Sequence, residues 1–145
     1  MAMDYSALPF AKGAPAVLVK RAKAKAEDAE WRHTCQRVDA RDKRVCQVTG
    51  KPLVGNAVDP WLALERHHLE FRSKNRSRRF NDRNVWTVSR AVHQLIHGGA
   101  LKVLTKRGEK AQDVREIDHV AWNRALVPVG DEPCRVRNGL PVRRD

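Results

Sequence analysis

The sequence contains few cysteines and no long apolar run. Its cysteines are Cys35, Cys46 and Cys134, an odd number at irregular spacing, which fits neither a disulfide framework nor a complete four-cysteine zinc site. This cysteine usage is consistent with a reducing compartment. No apolar stretch of about 18 residues is available to span a bilayer, and no basic-then-apolar signal segment begins the chain. We therefore expect a cytoplasmic protein with no membrane partner.

Acidic residues are scarce relative to basic ones. The 145 residues include 29 Lys and Arg against 17 Asp and Glu, which gives a net charge of +12 and a pI of about 10.4. Such a surplus predicts a polyanionic partner, and nucleic acid is the first candidate. A basic amphipathic membrane binder is the competing interpretation. The length supports one domain with tails rather than two domains.

Proline and glycine are concentrated near the two ends of the chain. Residues 1–16 contain two prolines and one glycine, which predicts an irregular N-terminal arm. Residues 17–42 contain neither, and their Ala, Lys, Arg and Glu content predicts a long helix. Residues 128–145 contain three prolines, two glycines and four arginines, which predicts an irregular basic tail.

The middle of the chain alternates between apolar segments and a basic one. The pattern predicts, in order, a strand or buried segment over 61–68, a basic loop over 72–83, a strand over 84–88 and a two-turn helix over 90–97. Ser89 is the expected N-cap of that helix, and Gly98 with Gly99 is expected to end it. Beyond it we expect a weak strand over residues 101–104 and a further helix over residues 114–126.

Five of the six histidines lie between positions 67 and 119. His93 and His97 are four residues apart on the predicted short helix, so their imidazoles leave the same face and can share one divalent metal. The alternative for such a pair is two ordinary core or surface histidines. His67 and His68 end the predicted first strand, where successive side chains point in opposite directions. One of them can face a metal and the other a substrate, whereas His119 on the later helix is interpreted as structural.

The chemistry of phosphodiester hydrolysis needs three groups close together. They are a base that takes a proton from water, a cation that neutralises the charge growing on the phosphate and the leaving oxygen, and a group that fixes the tautomer of the base. A histidine with an ordinary pKa of about 6.5 suits a base at neutral pH. Two histidines on a strand, two on a helix and Asn84 between them provide all three.

Four segments together resemble the motif of the HNH nucleases, also called the ββα-metal or His-Me finger family. They are Glu65-Arg66-His67-His68-Leu69, Phe71-Arg72-Ser73, Asn84-Val85 and Val92-His93-Gln94-Leu95-Ile96-His97. The resemblance implies an α+β fold with a ββα-metal core over residues 62–104, inside a nuclease domain of residues 17–127. The long N-terminal helix and an additional C-terminal helix would flank this core.

The resemblance also implies a role for each matching residue. His68 would be the general base, and Asn84 would orient that histidine or the loop around it. Glu65 matches an acidic residue that steadies histidine or basic side chains nearby. Arg72 falls where family members commonly contact the scissile phosphate, with a solvated loop arginine as the alternative. The implied ligands of one divalent metal, which can be Mg²⁺, Mn²⁺, Ni²⁺ or Zn²⁺, are His67, His93 and His97.

The sequence departs from the family pattern at a second metal site. Many phage-type members hold a structural zinc with two pairs of cysteines, and here only Cys46 remains. Thr49, Ser89 and Val92 occupy the other three positions, and one thiolate cannot make a tetrahedral zinc site. We expect no structural zinc. Hydrogen bonds of Thr49 and Ser89, with packing of Val92 and Trp86, should hold this corner instead.

The resemblance and the charge together predict the function. Residues 66–90 contain eight Lys and Arg against two acidic residues, which predicts phosphate contacts, with a merely solvated loop as the alternative. We expect a metal-dependent endonuclease that hydrolyses DNA phosphodiester bonds. The rival from another class is a non-cleaving, HNH-derived DNA-binding module of a phage or mobile element, and a bacteriocin-like toxin nuclease is a third possibility. The sequence leaves sequence specificity and oligomeric state open.

Overall fold

Two helices and two small sheets make up the part of the chain that the computed structural model describes, residues 15–123 and 142–144. The helices are α1 (Ala16–Asp42) and α2 (Arg90–His97). The strands are β1 (Leu64–His68), β2 (Val85–Ser89), β3 (Leu101–Leu104), β4 (His119–Trp122) and β5 (Val142–Arg144). The predicted α+β class is therefore confirmed.

Helix α1 runs for 27 residues because no proline or glycine interrupts it. It ends at Lys43, whose left-handed backbone, with a φ of 57°, breaks the helical geometry. Its buried residues are Thr34, Val38 and Asp42, each four positions from the next, so one narrow stripe of its C-terminal half packs on the domain. The Asp42 carboxylate accepts the Thr87 backbone N–H at 3.0 Å, which fastens the end of α1 to β2.

Strands β1 and β2 form an antiparallel pair that leads directly into α2. His67 lies opposite Trp86 in the register. Ser89, the last residue of β2, accepts a hydrogen bond from the Val92 backbone N–H at 3.2 Å and caps α2 as predicted. Gly99, whose φ of 78° favours glycine, follows the end of the helix. The predicted order of strand, basic loop, strand and short helix is confirmed.

The predicted helix over residues 114–126 is wrong. Only Val114–Glu116 forms a helical turn, and residues 119–122 form strand β4 instead. All four β4 residues are buried, and Val120 pairs with Val103 of β3. A segment that is buried on all sides and paired to a neighbouring strand has no solvent-facing stripe to favour an amphipathic helix. His119 accordingly lies on a strand, and residues 124–126 lie outside the described residues.

Strand β5 lies within the segment that the sequence predicted to be an irregular tail. Val142–Arg144 pairs in parallel with β4. The rest of that tail lies outside the described residues, as do residues 1–14 of the predicted N-terminal arm. Among the described residues, no helix combines the length and the apolar character needed to cross a membrane.

One apolar core joins the β1–β2–α2 unit to the β3–β4 hairpin. It includes residues from both parts, among them Leu69, Trp86, Val88, Val92, Leu101, Val103, Val120 and Trp122. Because this core is made of apolar side chains, it fixes the mutual position of β1 and α2. Hydrophobic packing therefore holds together the two elements that carry the candidate metal ligands.

Candidate metal centre and active site

Three histidines converge at the open side of the β1–α2 junction. His67 comes from β1, and His93 and His97 come from α2. Each offers a ring nitrogen, and these nitrogens lie within 4.8 Å of one another. The ring centroid of His67 is 5.3 Å from that of His93 and 5.5 Å from that of His97, and the two helix rings are 4.6 Å apart. The cluster could hold a metal ion.

The local structure explains why these rings meet. Alternation along β1 turns the His67 side chain into the protein, where the residue is 1% exposed, and directs His68 to the other side. One helical turn separates His93 from His97, so both rings face His67. His93 is half-buried and His97 is exposed, so the cluster is closed on the side of His67 and open to solvent on the side of His97.

His67 has the properties of a metal ligand. Burial, followed by the charges of His93 and His97, lowers the pKa of His67 to about 3. The ring is therefore neutral at physiological pH, which is the form that binds metal ions. Its Nδ1 is buried and has no hydrogen-bond partner among the described residues. Buried polar atoms are normally paired, so this nitrogen and the all-imidazole donor set fit a bound transition-metal ion.

Glu65 connects the histidine cluster to Arg90. One carboxylate oxygen lies 2.5 Å from Nδ1 of His93, and the other accepts from Nε of Arg90 at 3.0 Å. Burial by itself raises the pKa of Glu65, but the hydrogen bonds from His93 and Arg90 outweigh it and hold the pKa below its usual value. The ionised carboxylate keeps a hydrogen on Nδ1 of His93. Nε2 of His93, 2.9 Å from Nε2 of His97, is then the nitrogen that faces the cluster.

His68 lies on the other side of β1 and is half-buried. Its Nε2 is 3.0 Å from the carbonyl oxygen of Arg79, and because a carbonyl only accepts, Nε2 carries the hydrogen. The Nδ1 lone pair is then free to accept a proton. The ring of Trp31 in α1 stacks on the His68 ring, with centroids 5.3 Å apart and planes 20° apart. Burial lowers the pKa of His68, the bond to the Arg79 carbonyl opposes this, and the charge of Arg72 lowers it further.

Asn84 is fully buried and fastens the loop that follows β1. Its Oδ1 accepts the Glu70 backbone N–H at 2.7 Å, and its Nδ2 donates to the carbonyls of Glu70 at 3.1 Å and Arg78 at 3.3 Å. The next residue, Arg79, supplies the carbonyl that His68 contacts. Of the two roles expected for Asn84, orienting the histidine directly or constraining its loop, the hydrogen bonds match the second.

Arg72 is exposed and lies beside His68. It lines a cavity of about 190 Å³ with His68, Trp31 and Arg79. The positive charge of Arg72 contributes to lowering the pKa of His68. The structure therefore places Arg72 on the side of β1 that holds the candidate base, where an anion entering the cavity would meet both residues.

Half of the basic residues between positions 66 and 90 are already paired with carboxylates. The ion pairs are Arg66–Asp39, Arg78–Glu70, Arg79–Glu27 and Arg90–Glu65. The four that take part in no ion pair of the described residues are exposed, and they are Arg72, Lys74, Arg76 and Arg83. The charge count from the sequence therefore overstated the positive charge available to phosphates.

Some contacts at the site were not predicted from the sequence. The Phe71 ring stacks on His97, with centroids 5.1 Å apart and planes 12° apart. Trp31 and the Arg79 carbonyl, which hold His68, were also missed. Phe71 was noted only as part of a motif, and nothing in the spacing of Trp31 and His68 signals a contact across 37 positions.

The corner formed by Cys46 and the three positions that lack the expected cysteines is closed by hydrogen bonds. Cys46, Thr49, Ser89 and Val92 converge there, and all four are buried. The backbone N–H groups of Thr49 and Ser89 each lie 3.4 Å from the Cys46 sulfur. Cys46, Val92 and Trp86 belong to the apolar core. The expected involvement of Thr49, Ser89, Val92 and Trp86 is present, although the backbone of Thr49 and Ser89 contacts Cys46.

No family model matches the chain, and no curated protein or solved structure matches it.

Proposed function

We propose that the protein is a metal-dependent endonuclease of the HNH type that hydrolyses phosphodiester bonds in DNA. The observation that carries the proposal is the convergence of His67, His93 and His97 from two elements, with their ring nitrogens within 4.8 Å. The order of elements supports it, because an antiparallel strand pair followed by a short helix is the arrangement that the ββα-metal resemblance implies.

In this proposal, the metal ligands and the general base lie on opposite sides of β1. On one side, His67, His93 and His97 hold the metal, and Glu65 fixes the orientation of His93. A divalent metal bound there supplies positive charge that stabilises the phosphate and the leaving oxygen as the bond breaks. The metal ligands must be neutral imidazoles, and the low pKa of His67 meets that condition.

On the other side, His68 is the general base. Its Nε2–H donates to the Arg79 carbonyl, so the lone pair on Nδ1 takes the proton from the attacking water. Asn84 holds the loop that presents this carbonyl, and Trp31 restricts rotation of the ring by stacking on it. Because the pKa of His68 is lowered, the ring is in its proton-accepting form at neutral pH.

The DNA backbone is held by the basic residues of the loop that form no ion pair within the described part of the chain. Arg72 is the one nearest to His68, and it contacts the phosphate that is cut. Arg76, Arg83 and Lys74 extend the positive surface along the same loop. Such contacts bind the backbone and read no sequence by themselves, so binding weakens steeply with salt.

The deciding experiment is plasmid cleavage with a matched histidine control. Purified protein is incubated with plasmid and Mg²⁺, Mn²⁺, Ni²⁺ or Zn²⁺, with and without a chelator, beside His68→Ala and His33→Ala. His33 is an exposed histidine of α1. We expect cleavage that the chelator stops, a loss of about 100-fold or more in His68→Ala, and wild-type activity in His33→Ala.

A DNA-binding module without catalysis makes the opposite prediction. In that case the wild type and His68→Ala are equally inert in every metal while both still bind the plasmid. That outcome would replace the nuclease proposal with the module. A protein that neither cuts nor binds DNA would refute both.

A further inference from the structure

Lys110 is placed beside the histidine cluster by a part of the chain outside the HNH-like motif. It lies on the hairpin between β3 and β4, where it forms a bridge with Leu104. The next residue, Ala111, is fully buried, and its backbone N–H donates to the Val103 carbonyl at 3.0 Å. This anchoring fixes the backbone on one side of Lys110, so the direction of the lysine side chain is set by the fold.

The ammonium group of Lys110 sits over the ring of Phe71. Nζ is 4.0 Å from the ring centroid, a cation–π distance, and the same ring stacks on His97. Lys110 also lines a cavity of about 310 Å³ together with Phe71 and His67. The charge of Lys110 reaches the cluster, since it contributes to lowering the pKa of both His67 and His97.

Lys110 belongs to no ion pair of the described residues. Burial lowers its pKa, and the nearby charge of Lys74 lowers it further. The charge of Glu70 raises the pKa of Lys110, but the Glu70 carboxylate is already bound to Arg78 at 2.7 Å. Two ammonium groups repel each other at the edge of the histidine cluster, and neither is ion-paired with a carboxylate of residues 15–123. This arrangement favours an anionic group supplied from outside.

We propose that Lys110 binds a backbone phosphate of the DNA adjacent to the phosphate held at the histidine cluster, with Lys74 on the same side. The inference rests on the proposed nuclease function, and it adds a contact from the β3–β4 hairpin to those of the basic loop. The Phe71 ring contacts both the Lys110 ammonium group and His97, so Lys110 is one aromatic ring away from the histidine cluster. Lys110 is a binding residue and takes no part in proton transfer.

The test is the salt dependence of DNA binding in a chelator, where nothing is cut. A duplex of fixed length is titrated with wild type, Lys110→Met, Lys110→Arg and Lys106→Met, and binding is followed by fluorescence anisotropy over a series of salt concentrations. Methionine keeps an apolar chain on Phe71 while it removes the charge. Lys106 is the matched control, because it is exposed on the same hairpin.

Each phosphate contact contributes about 0.9 to the slope of log K against log salt concentration. We expect the slope of Lys110→Met to be shallower by about that amount, and those of Lys110→Arg and Lys106→Met to equal the wild type. Equal slopes in Lys110→Met and wild type, or equal losses in both methionine variants, would overturn the assignment of Lys110. If either result is found while the wild type still binds and cuts DNA, the proposed nuclease function stands and only the role of Lys110 is lost. A wild type that does not bind the duplex refutes both the proposed function and this inference.

Discussion

The Glu65 carboxylate lies 2.5 Å from Nδ1 of His93, the more buried of the two histidines on α2. The same carboxylate is bound by Arg90 at 3.0 Å, so it is fixed from two directions. A histidine whose outer nitrogen is held in this way presents the other nitrogen in one orientation and with increased basicity. The pair therefore links a strand residue two positions before His67 to the nitrogen of His93 that faces the histidine cluster.

Replacing Glu65 by glutamine should weaken metal binding without abolishing it. The amide keeps the shape of the side chain but loses the charge that fixes the His93 tautomer, and losses of this kind cost about 10- to 100-fold in affinity. Isothermal titration of the metal-free protein with Ni²⁺ or Zn²⁺ measures the effect. Glu109→Gln, at an exposed position of the β3–β4 hairpin, is the control and should bind metal as the wild type does. Unchanged affinity in Glu65→Gln would show that the carboxylate does not support the metal ligand.

Removal of the Asn84 side chain should destabilise the domain and disturb the loop at His68. Asn84→Ala leaves the partly buried Glu70 N–H without its acceptor, a change that costs about 1–3 kcal/mol in the free energy of unfolding. Urea denaturation measures the stability, and hydrogen exchange of the Glu70 amide reports on the loop itself. Asn75→Ala, which removes one exposed hydrogen bond to Ser77, should change stability by much less. Full protection of the Glu70 amide in Asn84→Ala would contradict the role of Asn84.

The stability of the metal-free protein should fall as the pH is lowered from 6.5 to 5. The pKa of His67 is about 3 in the folded state against 6.5 when exposed, so the unfolded state binds a proton in this range that the folded state does not. This contribution is complete above pH 6.5 and is lost as the pH falls towards 3. One such group changes the free energy of unfolding by at most about 1.4 kcal/mol per pH unit.

A His67→Gln variant isolates this contribution, because the lowered pKa values of His68 and His97 act in the same direction and remain in the variant. Urea denaturation at several pH values between 5 and 6.5 should give a shallower dependence in the variant than in the wild type. Carboxylates titrate mainly below this range and contribute little to the difference. Identical pH dependence in the two proteins would mean that His67 is not held neutral by the fold.

Removal of the metal should stop cleavage and leave the domain folded. The described residues form a continuous apolar core, and the corner around Cys46 is held by hydrogen bonds to its sulfur. Circular dichroism in the presence and absence of a chelator should give the same spectrum. Added metal should raise the melting temperature, since a ligand at 100 times its Kd stabilises the folded state by about 2.7 kcal/mol. Unfolding by the chelator alone would show that a metal is structural.

Local spacing was sufficient to predict the elements that carry the candidate site. The alternation that ends at His67 and His68, the capping serine at position 89 and the interval between His93 and His97 each act over one or two turns of chain. They predicted β1, β2 and α2 to within a few residues, and they predicted which side chains share a face. The prediction of an additional C-terminal helix was wrong because residues 119–122 pair with β3 and are buried along their whole length.

The types of side chain at the site, and their placement along each element, follow directly from the order of residues in the chain. Three features depend on the folded structure. Helix α1 brings Trp31 onto His68, the β3–β4 hairpin brings Lys110 onto Phe71, and carboxylates neutralise four of the eight basic residues around the motif. The difference arises from the range over which each interaction acts along the chain. Helix and strand periodicity fixes directions between near neighbours in the chain, whereas contacts between residues about 40 positions apart depend on how the apolar core packs the elements together.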